Sequence, residues 1–410
     1  MEKYIKRPQY TNFLRNWKDK NIIKVISGVR RSGKSTLLTM FQEELRESGI
    51  RDDQIHNINF ESRKYRKISN IDELENLLYK RMDLTKMNYV FLDEIERIPE
   101  FEKVVDSLFV EKNVDVYITG SNAYFLSSEL ATLLSGRYVE LSILPLSFEE
   151  FVRWQRENRP DRRYFSLAMH YQKYLKSSFP FTLILEKDED ITTYLEGIYS
   201  TVLVKDVATK HDIADIANLE RINQFLFSVI GSMISTNKIK NTLASNGLSL
   251  SPLTVDKYVS ALEAGLLFYP VCKYNVRGKR LLAREEKLYA VDIGLRNIIL
   301  PDANEDAGHI LENIIFLELL RRKRHVYVGK YDEYEIDFVT VNTDDSLEFY
   351  QVALTTLDEK TLERELRPLQ KLNNSYPKFL LTLDEINPNA NYEGIRKINA
   401  LEWLLDVSLD

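Results

Sequence analysis

The segment Gly28-Val-Arg-Arg-Ser-Gly33-Lys34-Ser35 constrains the fold of this chain more than any other. It matches the pattern G-x-x-x-x-G-K-[S/T] in the context that pattern requires. A short β-branched apolar run, Ile22–Ile26, precedes it. A stretch from Lys34 to Glu47 follows, with Leu37, Leu38, Phe41 and Leu45 recurring on one helical face. Glycines at 28 and 33 let backbone N–H groups curl around phosphate oxygens without a Cβ in the way. The helix that follows turns its partially positive N-terminus toward the same anion. The spacing therefore predicts a loop, Gly28 to Ser35, that grips a nucleotide's phosphates with its backbone and Ser32. Lys34 is expected to reach the β- and γ-phosphates, Ser35 to hold Mg²⁺, and Thr36 to touch the α-phosphate. Arg30 and Arg31 add positive charge, for the nucleotide, for a neighbouring subunit, or as a solvated pair.

Beyond this loop, strand and helix signals alternate. Ile55–Phe60, Tyr89–Leu92, Val114–Thr119 and Arg137–Leu144 read as strands; Ile71–Met82 and Phe101–Val110 read as helices. Such alternation predicts an α/β fold, a mostly parallel sheet with helices on both faces. The strand Asn88-Tyr-Val-Phe-Leu-Asp93-Glu94 ends in two carboxylates. Asp93 at the strand's C-terminal end is expected to support Mg²⁺, and Glu94 to orient or deprotonate the attacking water. Val114–Thr119 runs into Gly120-Ser121-Asn122, whose Ser121 or Asn122 either senses the γ-phosphate or caps a helix over Ala123–Leu130. Arg137 opens the next strand, either as a cation for transition-state charge, in its own site or a neighbour's, or in a surface ion pair.

Four segments occur in a fixed order: Gly-Val-Arg-Arg-Ser-Gly-Lys-Ser, Phe-Leu-Asp-Glu-Ile, Ile-Thr-Gly-Ser-Asn, and Ser-Gly-Arg-Tyr followed by Leu-Pro-Leu-Ser-Phe-Glu-Glu-Phe. In this the chain resembles bacterial and archaeal AAA-superfamily ATPases fused to a C-terminal domain of unknown function. The resemblance implies ATP, Mg²⁺ and assembly into a homo-oligomer. It also implies an ATPase core over 1–146, a helical segment over 147–231, a winged-helix domain over 232–300 and a restriction-endonuclease-like domain over 301–410.

The residues of the C-terminal half can be read for the same parts. Thr236–Leu243 reads as a helix, and Ser251-Pro-Leu-Thr opens a second whose Val255, Val259 and Leu262 face inward. Leu266–Val271 and Lys287–Val291 then read as wing strands. Between them, 273–284 is the most basic stretch of the region, with Lys273, Arg277, Lys279, Arg280 and Arg284, and suits phosphate contacts to DNA. A protein partner is the other reading of this module. Further on, Glu312 on a helix and Asp337 on a strand match two parts of a restriction-type metal site. Gln351 and Ala353 stand where a carboxylate and a lysine belong. Glu348 and Glu363 are the substitutes in sequence for the missing carboxylate, and no lysine stands in for the other. The nuclease-like part is thus expected to be inactive.

Composition narrows the function classes. One cysteine, Cys272, excludes an intrachain disulfide, and five scattered histidines show no metal-ligand spacing. The net charge of −6 gives no global signal for nucleic acid, which leaves only local basic patches. No apolar stretch approaches the ~20 residues that span a bilayer, and the N-terminal residues lack a signal peptide's apolar core, so no membrane and a cytoplasmic location are expected. The leading reading is an Mg²⁺-dependent ATPase whose binding and hydrolysis of ATP change conformation to act on DNA or a protein partner. A slow nucleotide-gated switch is the alternative, and an ATP-driven nuclease the third.

Overall fold

The computed structural model describes residues 4–123, 133–134, 136–278, 280–301, 306–323 and 325–406, the side chains of 283–285 excepted. The chain forms two compact units, Met1–Pro145 with Ala264–Leu266, and Leu146–Glu263 with Leu267–Asp410.

In the first unit, five parallel strands, β1 (Ile23–Ser27), β2 (Ile55–Asn59), β3 (Asn88–Asp93), β4 (Val114–Thr119) and β5 (Tyr138–Ser142), form a sheet in the order β2-β3-β4-β1-β5. The strands β1, β3 and β4 are buried along their whole length, which is why they read as near-continuous apolar runs and not as alternation. Their side chains divide between two cores. Val25, Ile58, Val90, Leu92, Val116 and Ile118 face α3 (Ile71–Arg81) and α4 (Phe101–Val110). Ile26, Tyr89, Phe91 and Tyr117 face α1 (Pro8–Trp17) and α2 (Lys34–Glu47). On that second face Phe91 stacks on Tyr117 with centroids 4.7 Å apart, and Phe41 of α2 leans on Tyr117 at 5.5 Å. Each such pair adds about 0.5–1.5 kcal/mol beyond its buried area. The sheet thus fixes α2, and with it the loop that precedes α2, from below.

One buried ion pair interrupts the apolar pattern. Lys24 on β1 reaches Asp115 on β4, and both are fully enclosed. Burial lowers the Lys24 ammonium and raises the Asp115 carboxyl from their ordinary values, each opposed by the other's charge.

The second unit holds a nine-stranded mixed sheet, ordered β13-β14-β12-β11-β10-β9-β7-β8-β6. Its strands are β6 (Met233–Ile234), β7 (Phe268–Asn275), β8 (Arg280–Ala290), β9 (His325–Tyr331), β10 (Tyr334–Val341), β11 (Leu347–Ala353), β12 (Lys378–Thr382), β13 (Asn391–Tyr392) and β14 (Ile395–Asn399). Helices Thr236–Ser245 and Pro252–Ala264 precede β7, as the periodicity predicts. The basic stretch 273–284 is not the connecting segment read from sequence. It is the end of a hairpin, because β7 and β8 pair continuously apart from one bulge. Strands from both sides of residue 300 share this sheet, since β7 pairs in parallel with β9. No helix among the described residues is long and apolar enough to cross a membrane.

Candidate functional site

Four parallel strands of the first sheet end on polar residues at the same edge: Ser27, Asn59, Asp93 and Thr119. Parallel strands present their C-terminal ends together, and crossing loops widen the space above them. The loop between β1 and α2 emerges there. Gly28 has φ +148°, and a Cβ on it would lie 2.3 Å from the Ile143 carbonyl oxygen. Gly33 has φ +103° and caps α2 in the left-handed region. The pattern's two glycines are therefore demanded by geometry. Arg7 ties the loop down from α1's N-terminus, donating to Ser32 O at 3.0 Å and to Leu144 O at 2.9 Å.

The Lys34 ammonium turns back into the loop. It donates to Gly28 O at 2.8 Å and Val29 O at 3.3 Å, and lies 3.7 Å from Glu94 Oε1. Burial pushes this ammonium below its usual value, opposed by the charges of Glu94 and Asp93. Glu94 shows the converse. Burial raises its carboxyl, and Lys34 opposes the rise. Each group's charge opposes the burial shift of the other.

Around this pair the hydrogen bonds run in one direction. Asn59 Nδ2 donates to Asp93 Oδ2 at 2.6 Å, and Thr119 Oγ1 donates to Asp93 Oδ1 at 2.6 Å. The Glu94 N–H donates to Thr119 Oγ1 at 2.9 Å, and Ser121 Oγ donates to Glu94 Oε2 at 2.9 Å. Glu94 itself sits at φ +58°, in the left-handed region that a non-glycine residue seldom adopts. That turn, forced by the end of β3, swings the carboxylate toward Lys34.

The sequence-predicted residues fall into three groups. Gly28, Ser32, Gly33, Lys34, Asp93, Glu94 and Ser121 converge at this edge, with Asn122 buried beside them. Ser35 and Thr36 lie exposed on the first turn of α2. Arg30 is held by Glu61 at 2.8 Å, while Arg31 is exposed at φ +70°. The helix cap suggested for Ser121 or Asn122 involves residues outside those described.

Arg137 departs from the reading that it approaches the γ-phosphate of its own chain. Its carbonyl accepts from Ile23 N at the start of β1, whereas the loop follows the end of β1. At about 3.3 Å per residue, the five residues from 23 to 28 separate them by roughly 16 Å. Arg137 instead pairs with Asp106 at 2.8 Å on an exposed surface.

Sequence reasoning missed Asn59 and Thr119, which orient Asp93, and Glu61, which bridges Arg30 and Arg97 at 2.8 Å each. A polar residue closing an apolar strand was the available signal for the first two. The loop fits a triphosphate. The Ser32 hydroxyl is fully buried with no partner in the protein, a backbone without Cβ lines the turn, and one buried ammonium is in place. Ser35, exposed on the first turn of α2, and Asp93 are the oxygen-bearing side chains here that could hold an accompanying Mg²⁺.

The second unit places the residues of the expected metal site differently. Glu312 Oε1 accepts from Tyr289 OH at 2.6 Å and from Lys287 Nζ at 2.9 Å. Lys287 also lies 3.1 Å from Glu335, and Lys273 lies 3.2 Å from Glu335. Asp337 Oδ2 accepts from Val352 N, and Gln351 Nε2 donates to Glu365 at 3.0 Å. Burial first, and then Glu312's charge, push the Asp337 carboxyl well above the usual range, with Lys287 opposing. Burial alone would lower the Lys287 ammonium, yet Glu312, Asp337 and Glu335 together raise it. The sequence offered no lysine here. Lys287 arrives from β8, far from the motif in sequence, and its ammonium lies within ion-pair distance of both Glu312 and Glu335. Among the described residues, no group of three or more His, Cys, Asp or Glu is arranged to hold a metal ion.

Comparison with known proteins adds the following. The family profile described as "AAA domain" matches residues 20–152, and that described as "Domain of unknown function (DUF8612)" matches residues 170–306. An uncharacterized protein of Haemophilus influenzae is 38% identical over 98% of this chain and 98% of its own length. An uncharacterized protein of Methanocaldococcus jannaschii is 32% identical over 92% of this chain and 84% of its own. Among solved structures, the Walker-type ATPase PABY2304 of Pyrococcus abyssi aligns with TM-score 0.43 and 14% identity, covering 72% of this chain and 96% of that one.

Proposed function

This chain belongs to the family of its Haemophilus influenzae and Methanocaldococcus jannaschii relatives, with an AAA domain at residues 20–152, and from that premise we propose that it is an Mg²⁺-dependent ATPase. Its cycle of binding and hydrolysis drives a conformational change that acts on DNA or a protein partner. The AAA-type phosphate-loop fold supports ATP binding. The observation that carries hydrolysis is the meeting of Lys34, Glu94 and Ser121 at one sheet edge.

The chemistry follows from those contacts. The loop N–H groups and the N-terminus of α2 hold the phosphates, with Ser32 Oγ as a further donor. Lys34 shifts from the Gly28 and Val29 carbonyls to the β- and γ-phosphates, so its positive charge stays with the oxygens as charge builds on them. Ser35, and Asp93 through water, would hold Mg²⁺, which would supply positive charge to offset the negative charge building on the phosphates. Asn59 and Thr119 keep Asp93 aimed at that position. Glu94, oriented by Ser121, accepts the proton of the attacking water as its oxygen bonds to the γ-phosphorus and the bond to ADP breaks. Asn122, buried beside Ser121, is the second polar group within this corner. Arg137 is too far to serve its own site, and an exposed place at a sheet edge suits it to a neighbouring copy in a homo-oligomer.

Cleavage of nucleic acid by the second unit forms no part of this proposal, because Lys287 already neutralises Glu312. The test is steady-state phosphate release by wild type and Lys34→Ala. Turnover that disappears in the variant supports the reading. Wild-type protein that binds ATP without releasing phosphate overturns it in favour of a slow switch.

A further inference from the structure

Between β2 and α3 the chain reads Arg63-Lys64-Tyr65-Arg66-Lys67, with Lys80 and Arg81 at the end of α3. All six cations are exposed, and among the described residues none is ion-paired with a carboxylate. Elsewhere on this unit's surface Arg15 pairs with Glu44, Arg46 with Asp52, and Arg51 with Asp53. The stretch 273–284, the basic segment most visible in sequence, is partly neutralised too, with Lys273 on Glu335 and Arg277 on Asp332. Six exposed like charges with no carboxylate partner make a locally positive surface that attracts anions.

The cations are held in place. Tyr65 is buried in the core against α3, and its OH donates to Asn57 O at 3.2 Å. Lys64 lies over its ring at 5.1 Å and Arg81 at 5.7 Å. Ser62 caps the turn Arg63–Tyr65. Lys64, Lys67 and Arg81 rim a hollow of about 340 Å³ floored by Tyr65, Ile68 and Leu77. The one carboxylate lining it, Glu73, accepts from Ser69 N at 2.8 Å at the start of α3. No large apolar side chain of residues 61–82 is exposed, so the surface lacks the wedge that a membrane contact uses. Guanidinium forks at 63, 66 and 81, mixed with ammonium groups, suit phosphate oxygens.

We propose that Arg63, Lys64, Arg66, Lys67, Lys80 and Arg81 form the surface on which this protein takes the phosphodiester backbone of a nucleic acid, without reading its sequence. Two links join this surface to the nucleotide corner. Glu61, two residues upstream, accepts from Arg30 of the phosphate loop and from Arg97. Asn59 donates to Asp93, and Phe60 N donates to Asp93 O at 3.0 Å. A change at Arg30 or Asp93 is therefore passed within a few residues to the basic turn. Binding of the polyanion and of ATP alter each other's affinity by the same factor. Only this coupling rests on the proposed ATPase; the surface itself does not.

The test uses the full chain and fluorescently labelled DNA of mixed sequence, about 30 nucleotides long, single-stranded and duplex, read by anisotropy between about 50 and 200 mM salt. The variant Arg63→Gln/Lys64→Gln/Arg66→Gln/Lys67→Gln is expected to bind at least tenfold more weakly. Its slope of log affinity against log salt should be shallower by about 3, at roughly 0.7–0.9 for each lost phosphate contact. A control that removes as many paired cations, Arg15→Gln/Arg46→Gln/Arg51→Gln and Lys103→Gln, whose ammonium pairs with Glu100, should bind like wild type. Basal phosphate release should be unchanged in both, which also shows that both fold. Equal binding by the first variant, an equal loss in the control, or polyglutamate competing as well as DNA at equal charge overturns the proposal. Wild type that hydrolyses ATP and binds no DNA sinks this proposal alone. Wild type that binds DNA without turnover sinks only the ATPase.

Discussion

Replacing Glu94 by glutamine keeps the side chain's shape and removes one negative charge 3.7 Å from the Lys34 ammonium. Two effects follow, in opposite directions. Turnover falls, because an amide cannot accept the water's proton; loss of a positioned general base costs about 10²–10⁴-fold, or roughly 3–5 kcal/mol of barrier. ATP binding tightens. At an effective dielectric of about 20, two unit charges 3.7 Å apart attract by about 4 kcal/mol. Wild-type Lys34 gives up part of that attraction when it moves to the phosphates, and Glu94 also repels them. Recovering a quarter to a half of it, about 1–2 kcal/mol, corresponds to roughly 5–30-fold tighter binding. Phosphate release and titration of a fluorescent ATP analogue read the two effects separately. The pH profile gives a third reading. The base must be ionised, and burial raises its carboxyl. In wild type kcat/KM therefore rises with pH along a limb lying above the ordinary carboxylate range, and the glutamine variant lacks that limb. Wild-type turnover in Glu94→Gln, or weaker ATP binding, refutes the assignment of Glu94 as base and as partner of Lys34.

Ser121→Ala removes the donor that orients Glu94 and is expected to lower kcat about tenfold with KM little changed, a split that steady-state kinetics resolves. Gly28→Ala sets a methyl against the Ile143 carbonyl at φ +148°; a loss of about 1–3 kcal/mol from the first unit's unfolding, together with weakened ATP binding, is expected in denaturant titrations. Arg137→Ala breaks an exposed pair with Asp106, so the melting temperature should barely move. If Arg137 serves a neighbour's site, turnover per chain in the variant no longer rises with protein concentration as it does in wild type. Lys287→Met leaves Glu312 without its lysine partner and Glu335 with Lys273 alone. Breaking a buried pair costs about 3–5 kcal/mol, and the partial exposure of Glu335 points to the lower end. Burial and Glu312's charge already hold the Asp337 carboxyl above its ordinary value, and removing Lys287 removes what opposes that rise. A carboxyl whose folded pKa is raised costs stability once it ionises, so the variant's deficit in thermal melts is greatest at neutral pH and above, and shrinks as pH falls and Asp337 protonates.

Apart from α1 (Pro8–Trp17), which the sequence reading missed, the strands of the first unit and the helices α2, α3 and α4 were legible in the sequence to within a residue or two, since each is a local pattern. Lys34–Glu47 and Phe101–Val110 begin and end where their apolar periodicity does. The C-terminal half was less legible where a strand outran its signal. β8 extends back to Arg280, through charged residues that its pairing with β7 holds in place. Asn59 and Thr119 gave only a faint signal, because a polar residue at a strand's end is as often a cap as a ligand.

By itself the sequence determined the phosphate loop, the acidic end of β3 and the alternation that makes a parallel sheet. These depend on residues within one strand, one turn and the first turn of one helix, and short-range geometry leaves them little choice. The tertiary structure alone decided the strand order β2-β3-β4-β1-β5, which brings Thr119 and Ser121 to Asp93 and Glu94 and carries Arg137 to the far edge. It alone set Lys24 against Asp115, and Lys287 between Glu312 and Glu335. A buried charge must find its partner through space, and the chain can supply that partner from any strand the sheet brings alongside.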